Sequence, residues 1–129
     1  MPINIRWVDD EKTIILSEHI DSWTLTQFIE TSNERGQMMD SVNHIVASIV
    51  HHTKGSSPPA SLVSNLGKFR NDPALTHPNG GMAIAIIDNN PIMASLLNIF
   101  LQLTTKRVAI AKTIEEAIEM VYASRSVPA

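Results

Sequence analysis

Three times in this chain a short apolar run is followed by a segment with helical periodicity. The runs are Val42–Val50, Met82–Ile87 and Val108–Ala111, and the helices are expected to begin near Ser57, Asn90 and Thr113. Parallel strands that helices cover appear in a sequence as short, near-continuous runs of Val, Ile and Ala. The pattern therefore predicts an α/β fold with a mixed sheet of about five strands and about four helices.

The first forty residues supply the remaining predicted elements. Ile3–Val8 alternates apolar and polar side chains, which is the period of a half-exposed strand, and Thr13–Leu16 is expected to pair with it as a hairpin. A helix is expected after an N-cap at Asp21 or Ser22, with Gly36 at its end.

Length and composition restrict the class of protein. The 129 residues, of which 43% are hydrophobic, suit one domain, expected at 1–123 with a C-terminal tail at 124–129. The net charge of −3 predicts no binding of nucleic acid. The chain has no Cys, and its first residues lack the pattern of a signal peptide. The longest apolar stretch, Ile92–Leu103, is too short to span a bilayer. We therefore expect a cytoplasmic protein without a membrane span.

The order of elements and one closing phrase resemble a known family. The phrase Arg107-Val-Ala-Ile-Ala-Lys-Thr-Ile-Glu-Glu-Ala is similar to the last strand and helix of STAS domains, whose members include anti-anti-sigma factors. The resemblance extends from Ile5 to Tyr122 and is strongest to the SpoIIAA-like branch of bacterial proteins. It implies a STAS-like mixed sheet in a cytosolic protein that acts through protein contacts.

The resemblance also implies a regulatory loop. The regulatory serine of the family lies where its central strand enters a helix, and the matching place here is Gly55-Ser56-Ser57-Pro58-Pro59. Ser56 and Ser57 are therefore the candidate regulatory residues of a phospho-switched anti-sigma factor antagonist. The residues alone support another interpretation, in which Ser57 is a helix N-cap and Pro58 is the first helical residue. Both interpretations stay open.

The segment that follows Asn90 is apolar on two helical faces. The face expected to cover the sheet carries Ile92, Leu96, Ile99, Phe100 and Leu103. The second face carries Met93, Leu97 and Leu101. Since a helix beside a sheet needs one apolar face, the second stripe is either packed between neighbouring elements or a partner surface. The predicted partner is a second copy in a homodimer or another protein, and a lipid contact is an alternative.

No pattern of residues in the chain supports catalysis. His44, His51, His52 and His77 lack metal-ligand spacing, and neighbouring residues of a strand point to opposite sides. The Gly-x-Ser-x-Gly motif of a nucleophile elbow is missing. We expect no enzymatic activity, no metal and no cofactor. The predicted function is a non-enzymatic interaction domain. The alternatives are a domain that binds a small apolar ligand or lipid, and the phospho-switched antagonist.

Overall fold

The computed structural model describes residues 2–65, 67, 71–103 and 108–125. In these residues one sheet contains five strands. From β1 to β5 the strands are Ile3–Trp7, Ile14–His19, Val46–His52, Gly80–Ile87 and Val108–Ala111. The α-helices in the same residues, α1 to α4, are Leu25–Asp40, Pro73–Thr76, Pro91–Leu103 and Ile114–Arg125. A 3-10 helix, Val63–Asn65, lies between β3 and α2.

The strands lie in the sheet in the order in which they occur in the chain. β1 pairs with β2 in antiparallel orientation, and β2, β3, β4 and β5 are parallel to one another. The predicted mixed α/β fold, with about five strands and about four helices, is therefore confirmed. Parallel neighbours require crossover connections, and α1 lies in the β2–β3 connection while α3 lies in the β4–β5 connection.

One face of the sheet, which we call the packed face, is covered by α4. It presents aliphatic side chains from the four parallel strands, and together with Ala117 and Val121 of α4 these form a buried cluster. The strand residues of this cluster are Ile14, Leu16, Ala47, Ile49, Ile84, Ile86 and Ala111.

The opposite face, which we call the cavity face, carries the intervening residues. Here β3 and β4 present smaller or polar side chains, and α1 and α3 lie over them. Met39 of α1 packs on Ile15, while Met93 and Leu96 of α3 belong to a cluster with Trp23. The strand residues of this face include Ile15, Ser17, His19, Ser48, Val50, His52, Ala83 and Ala85.

The prediction of a helix that begins near Ser57 is wrong. Ser57 instead forms an isolated parallel bridge with Ser22, and its carbonyl oxygen accepts a hydrogen bond from the Trp23 N–H at 3.1 Å. The residues from 57 to 62 are not helical. Ser57 and Pro58 have the composition of a helix start, but backbone pairing with the segment after β2 holds this serine extended.

The predicted limits of α1 are also wrong. Its N-cap is Thr24, whose side chain forms a capping box with Gln27, and the helix continues through Gly36 to Asp40. A Cβ atom on Gly36 would lie 3.2 Å from Cγ of Pro73. Gly36 therefore serves the close approach of α1 and α2 and does not end the helix.

The two apolar stripes of α3 are turned differently from the prediction. Met93, assigned to a partner surface, is only 6% exposed, and Leu97 and Leu101 are half-buried. Ile92 and Ile99, expected to cover the sheet, are 62% and 42% exposed. The exposed face of α3 also carries the polar residues Ser95, Asn98 and Gln102, whose helical spacing is the sequence signal for this rotation. The side chain of Leu103 lies outside the described part of the structure.

At the end of the chain, α4 continues to Arg125, so the predicted tail does not begin at 124; residues 126–129 lie outside the described residues. None of the helices in the described parts of the chain has the length and apolar character needed to cross a lipid bilayer.

Candidate functional site

A cavity of about 130 Å³ lies between the cavity face and the elements that cover it. Its floor is formed where β3 and β4 present the small side chains of Ser48, Ala83 and Ala85. Ser48 and Ala83 are partners in the β3–β4 register, so the small residues are neighbours across the two strands. The space exists because the helices rest on larger neighbours while these three positions fill little of the gap.

The walls of the cavity are mainly apolar and come from several parts of the chain, including Ala74 and Leu75 of α2. Trp23 precedes α1, Phe28 belongs to α1, and Leu62 comes from the segment after β3. α3 contributes two buried residues, Met93 and Leu96, and two half-buried ones, Leu97 and Phe100. Such a lining is typical of sites that bind small organic molecules.

A buried ion pair forms the polar side of the cavity. Arg35 of α1 is only 2% exposed, and its Nη1 pairs with Oδ2 of Asp72. Its Nη2 donates to Oγ of Ser17 on β2 at 2.6 Å. Asp72 also accepts from the Ser32 hydroxyl at 2.6 Å and, as the N-cap of α2, from the Ala74 N–H at 2.9 Å. This network joins α1, α2 and β2, and its opposite charges cancel within the pair.

A cluster of aromatic rings lies at the carboxyl end of β2 and β3. His19 and His52 are register partners, and their ring centroids are 4.4 Å apart. The Trp23 ring meets His19 edge-on at 4.8 Å, and its Nε1 donates to Oγ of Ser56 at 3.1 Å. Phe28 completes the cluster at 5.9 Å from Trp23.

Both histidines of this cluster are held neutral. Burial, together with a smaller effect of the neighbouring His51, lowers the pKa of His52 to about 4. Burial, followed by the proximity of His52 and Arg35, lowers the pKa of His19 well below its usual value. At neutral pH the site therefore holds no charge from its imidazoles.

Several polar atoms around the cavity have no hydrogen-bond partner. Among the described residues there is no hydrogen-bond partner for Nε of Arg35, Oγ of Ser48 or Nδ1 of His52. All three residues line the cavity. Both ring nitrogens of the adjacent His19 are unpartnered as well. Buried polar groups are nearly always paired in native proteins, so a cluster of exceptions marks a candidate binding site.

The predicted regulatory serines lie in different environments at the edge of this site. Ser56 is only 6% exposed, since its hydroxyl accepts from Trp23. Ser57 is exposed. Asn90, just before α3, donates to the carbonyl oxygens of Thr53 and Ser56 at 3.1 and 2.9 Å, so this loop is attached to the start of α3.

The other histidines singled out in the sequence do not converge. His51 faces away from His52: its Nε2 lies 2.7 Å from Oδ2 of Asp88, and its Nδ1 lies 3.7 Å from Oε2 of Glu18. His77 pairs with Asp40, and His44 contacts the carbonyl oxygen of Lys12. No group of three or more potential metal ligands was found among the residues that the structure describes.

Sequence reasoning singled out Met93 and Leu97, which line the cavity, but assigned them to a partner surface and did not identify the polar residues of the lining. A weak signal existed, because Ser17 and His19 on β2, and Ser48 and His52 on β3, are polar residues spaced by an even number within buried strands. Arg35 carried no comparable signal, since one arginine on an amphipathic helix normally faces solvent.

Comparison with known proteins does not assign the chain to a family: no family model, no curated protein and no solved structure matches it.

Proposed function

We propose that this chain is a non-enzymatic α/β domain that binds a small, largely apolar molecule in the cavity between α3 and the sheet. The observation that carries the proposal is the cavity of about 130 Å³ on the floor of Ser48, Ala83 and Ala85. An engineered protein cavity of about 150 Å³ lined by aliphatic and aromatic side chains is large enough to bind benzene. The cavity here therefore suits a molecule with one ring and a small substituent.

Titration of the full chain with toluene, followed by calorimetry, tests this proposal. We expect a dissociation constant below about 1 mM, since small apolar ligands gain most of their affinity from burial.

Ala83→Leu places extra side-chain volume on the cavity floor and should abolish binding. Ala94→Leu makes the same change at an exposed position of α3 and should leave binding intact. Circular dichroism establishes that both variants are folded, and Ala85→Val is a smaller filling substitution if Ala83→Leu unfolds. Equal toluene binding by the wild-type chain and a folded filling variant contradicts the proposal.

A second candidate function is the protein interaction that the sequence predicted. It is favoured by the exposed Ile92 and Ile99, which are seven residues apart on one face of α3, and by the exposed Ser57 in the loop that Asn90 attaches to this helix. The surface proposed for a homodimer is then Ile92 and Ile99 in place of the Met93 stripe. Light scattering should show a dimer that the double variant Ile92→Glu, Ile99→Glu dissociates and that Ala94→Glu, at an exposed position on another face of α3, leaves intact. A monomeric wild-type chain contradicts a homodimer.

The phospho-switch implied by the STAS resemblance remains a proposal for Ser57, since a kinase could reach this exposed hydroxyl without opening the loop. Incubation with a cognate kinase should label Ser57 and not the buried Ser56. No label on either serine, mapped by mass spectrometry, contradicts the switch.

A further inference from the structure

We infer that the cavity selects an uncharged ring compound with a hydrogen-bond-accepting oxygen, such as a phenol or an aromatic amide, which would pair with Arg35 and Ser48. This inference rests on the proposed ligand-binding function and adds the chemical class of the ligand. It is carried by two buried polar atoms without partners, Nε of Arg35 and Oγ of Ser48, whose residues both line the cavity.

The first step concerns the donors that the cavity offers. Nη1 of Arg35 donates to Asp72 and Nη2 donates to Ser17, while its Nε–H, a group that can only donate, has no partner within the described residues. The Ser48 hydroxyl can donate or accept, and it too has no partner within the described part of the chain. A ligand that pairs with both groups needs an oxygen that accepts, and a hydroxyl or a carbonyl group meets this requirement.

The second step concerns the charge of the ligand. The guanidinium of Arg35 is already compensated by Asp72, and Asp72 is satisfied in turn by Ser32 and Ala74. His19 and His52 add no charge at neutral pH, because burial lowers the pKa of each ring. An ionised ligand would bring an unpaired charge into a largely apolar space, at a large cost in free energy. The cavity therefore favours a neutral molecule.

The third step concerns the lining. Ala83 and Ala85 on the floor and Leu62, Met93 and Leu96 on the walls are apolar, and Arg35 and Ser48 belong to the same lining. A site with a few polar groups in an apolar lining discriminates strongly against an analogue that lacks the matching oxygen, because the polar groups of the protein then stay unpaired.

Two pairs of nearly isosteric probes test the inference on the full chain at pH 7.5. Phenol and toluene differ in the hydroxyl group, and benzamide and benzoate differ in charge. We expect the wild-type chain to bind phenol about fivefold more tightly than toluene, the size of one net hydrogen bond. We expect benzamide to bind at least about tenfold more tightly than benzoate, because a desolvated carboxylate has no free cation to meet.

Ser48→Ala identifies the residue responsible. It removes Oγ and hardly alters the volume of the cavity, so it should lower the ratio of phenol to toluene affinity, because of the two groups Arg35 alone can then pair with the phenol oxygen, and it should leave toluene affinity within about twofold. Ser95→Ala, at an exposed position of α3, should keep the wild-type ratio.

The outcomes separate this inference from the proposed function. If toluene binds the wild-type chain at least as tightly as phenol, if benzoate binds more tightly than benzamide, or if Ser48→Ala leaves the wild-type ratio of phenol to toluene affinity unchanged, the ligand class is wrong while the cavity site stands. If none of the four probes binds, the proposed function fails together with the inference.

Discussion

The two faces of the sheet are built from alternate residues of the same strands, yet they are packed in different ways. Ile84 on the packed face is surrounded by aliphatic side chains beneath α4, whereas Ala83 and Ala85 on either side of it line the cavity. The period-two alternation of β4 therefore separates large residues from small ones. The difference indicates that close packing on the packed face stabilises the fold. The cavity face is less well packed and holds unpartnered polar groups, which lowers its contribution to stability but leaves a candidate binding site.

The largest expected effect comes from breaking the polar network of the cavity face. Arg35→Met leaves the buried carboxylate of Asp72 without its cation and should lower the free energy of unfolding by about 3 to 5 kcal/mol, measured by urea denaturation. The double variant Arg35→Met, Asp72→Asn removes both charges and should recover more than half of this loss. A loss below about 1 kcal/mol in the single variant would show that the pair does not hold α1, α2 and β2 together.

The next effect compares neighbouring residues on the two faces. Ile84→Ala opens a void in the packed face and should cost about 3 kcal/mol of unfolding free energy. Ala83→Val adds volume where the cavity already has room and should change stability by less than about 1 kcal/mol. Both values come from urea denaturation of the full chain. If Ala83→Val costs as much as Ile84→Ala, the two faces are equally well packed and the comparison fails.

A smaller effect is expected from the pH dependence of the cavity face. His52 in the folded protein has a pKa of about 4, against 6.5 for an ordinary histidine. As the pH falls below 6.5, the unfolded chain takes up a proton that folded His52 takes up only near pH 4, so stability is lost in this window. Between pH 7.5 and 5 the loss from His52 is up to about 2 kcal/mol.

The variant His52→Phe keeps a ring in the aromatic cluster and removes the titrating group. Its unfolding free energy should fall less steeply between pH 7.5 and 5 than that of the wild-type chain. Parallel pH profiles for the two proteins would mean that His52 is not held neutral by burial.

The sequence was sufficient to predict the sheet because apolar periodicity is a local property. The runs that end at Val50, Ile87 and Ala111 correspond to β3, β4 and β5, and the alternation in Ile3–Val8 corresponds to β1. Local signals were misleading where tertiary contacts determine the backbone conformation. Ser57 has the surroundings of a helix cap but pairs with Ser22, and Gly36 resembles a helix end but lies against Pro73.

The site was harder to predict because it depends on distances between elements. The contact of His19 with His52 requires the parallel register of β2 and β3, and the ion pair joins residues 37 positions apart. The cavity further depends on how α3 is rotated, since Met93 and Leu96 form its wall only when Ile92 and Ile99 face outward. The polar residues Ser95, Asn98 and Gln102 mark the outward face of α3, but this signal is weakened because Ile92 and Ile99 share that face.

The most direct test of the ligand-binding account is a methyl-labelled NMR experiment that measures intermolecular NOEs between toluene and the protein. The account predicts NOEs to the methyl groups of Ala83, Met93 and Leu96, and none to those of Ile49 or Val121 on the packed face. Toluene that gives NOEs to the packed face, or to no methyl group of the cavity at saturating concentration, would contradict the claim that the cavity is a binding site.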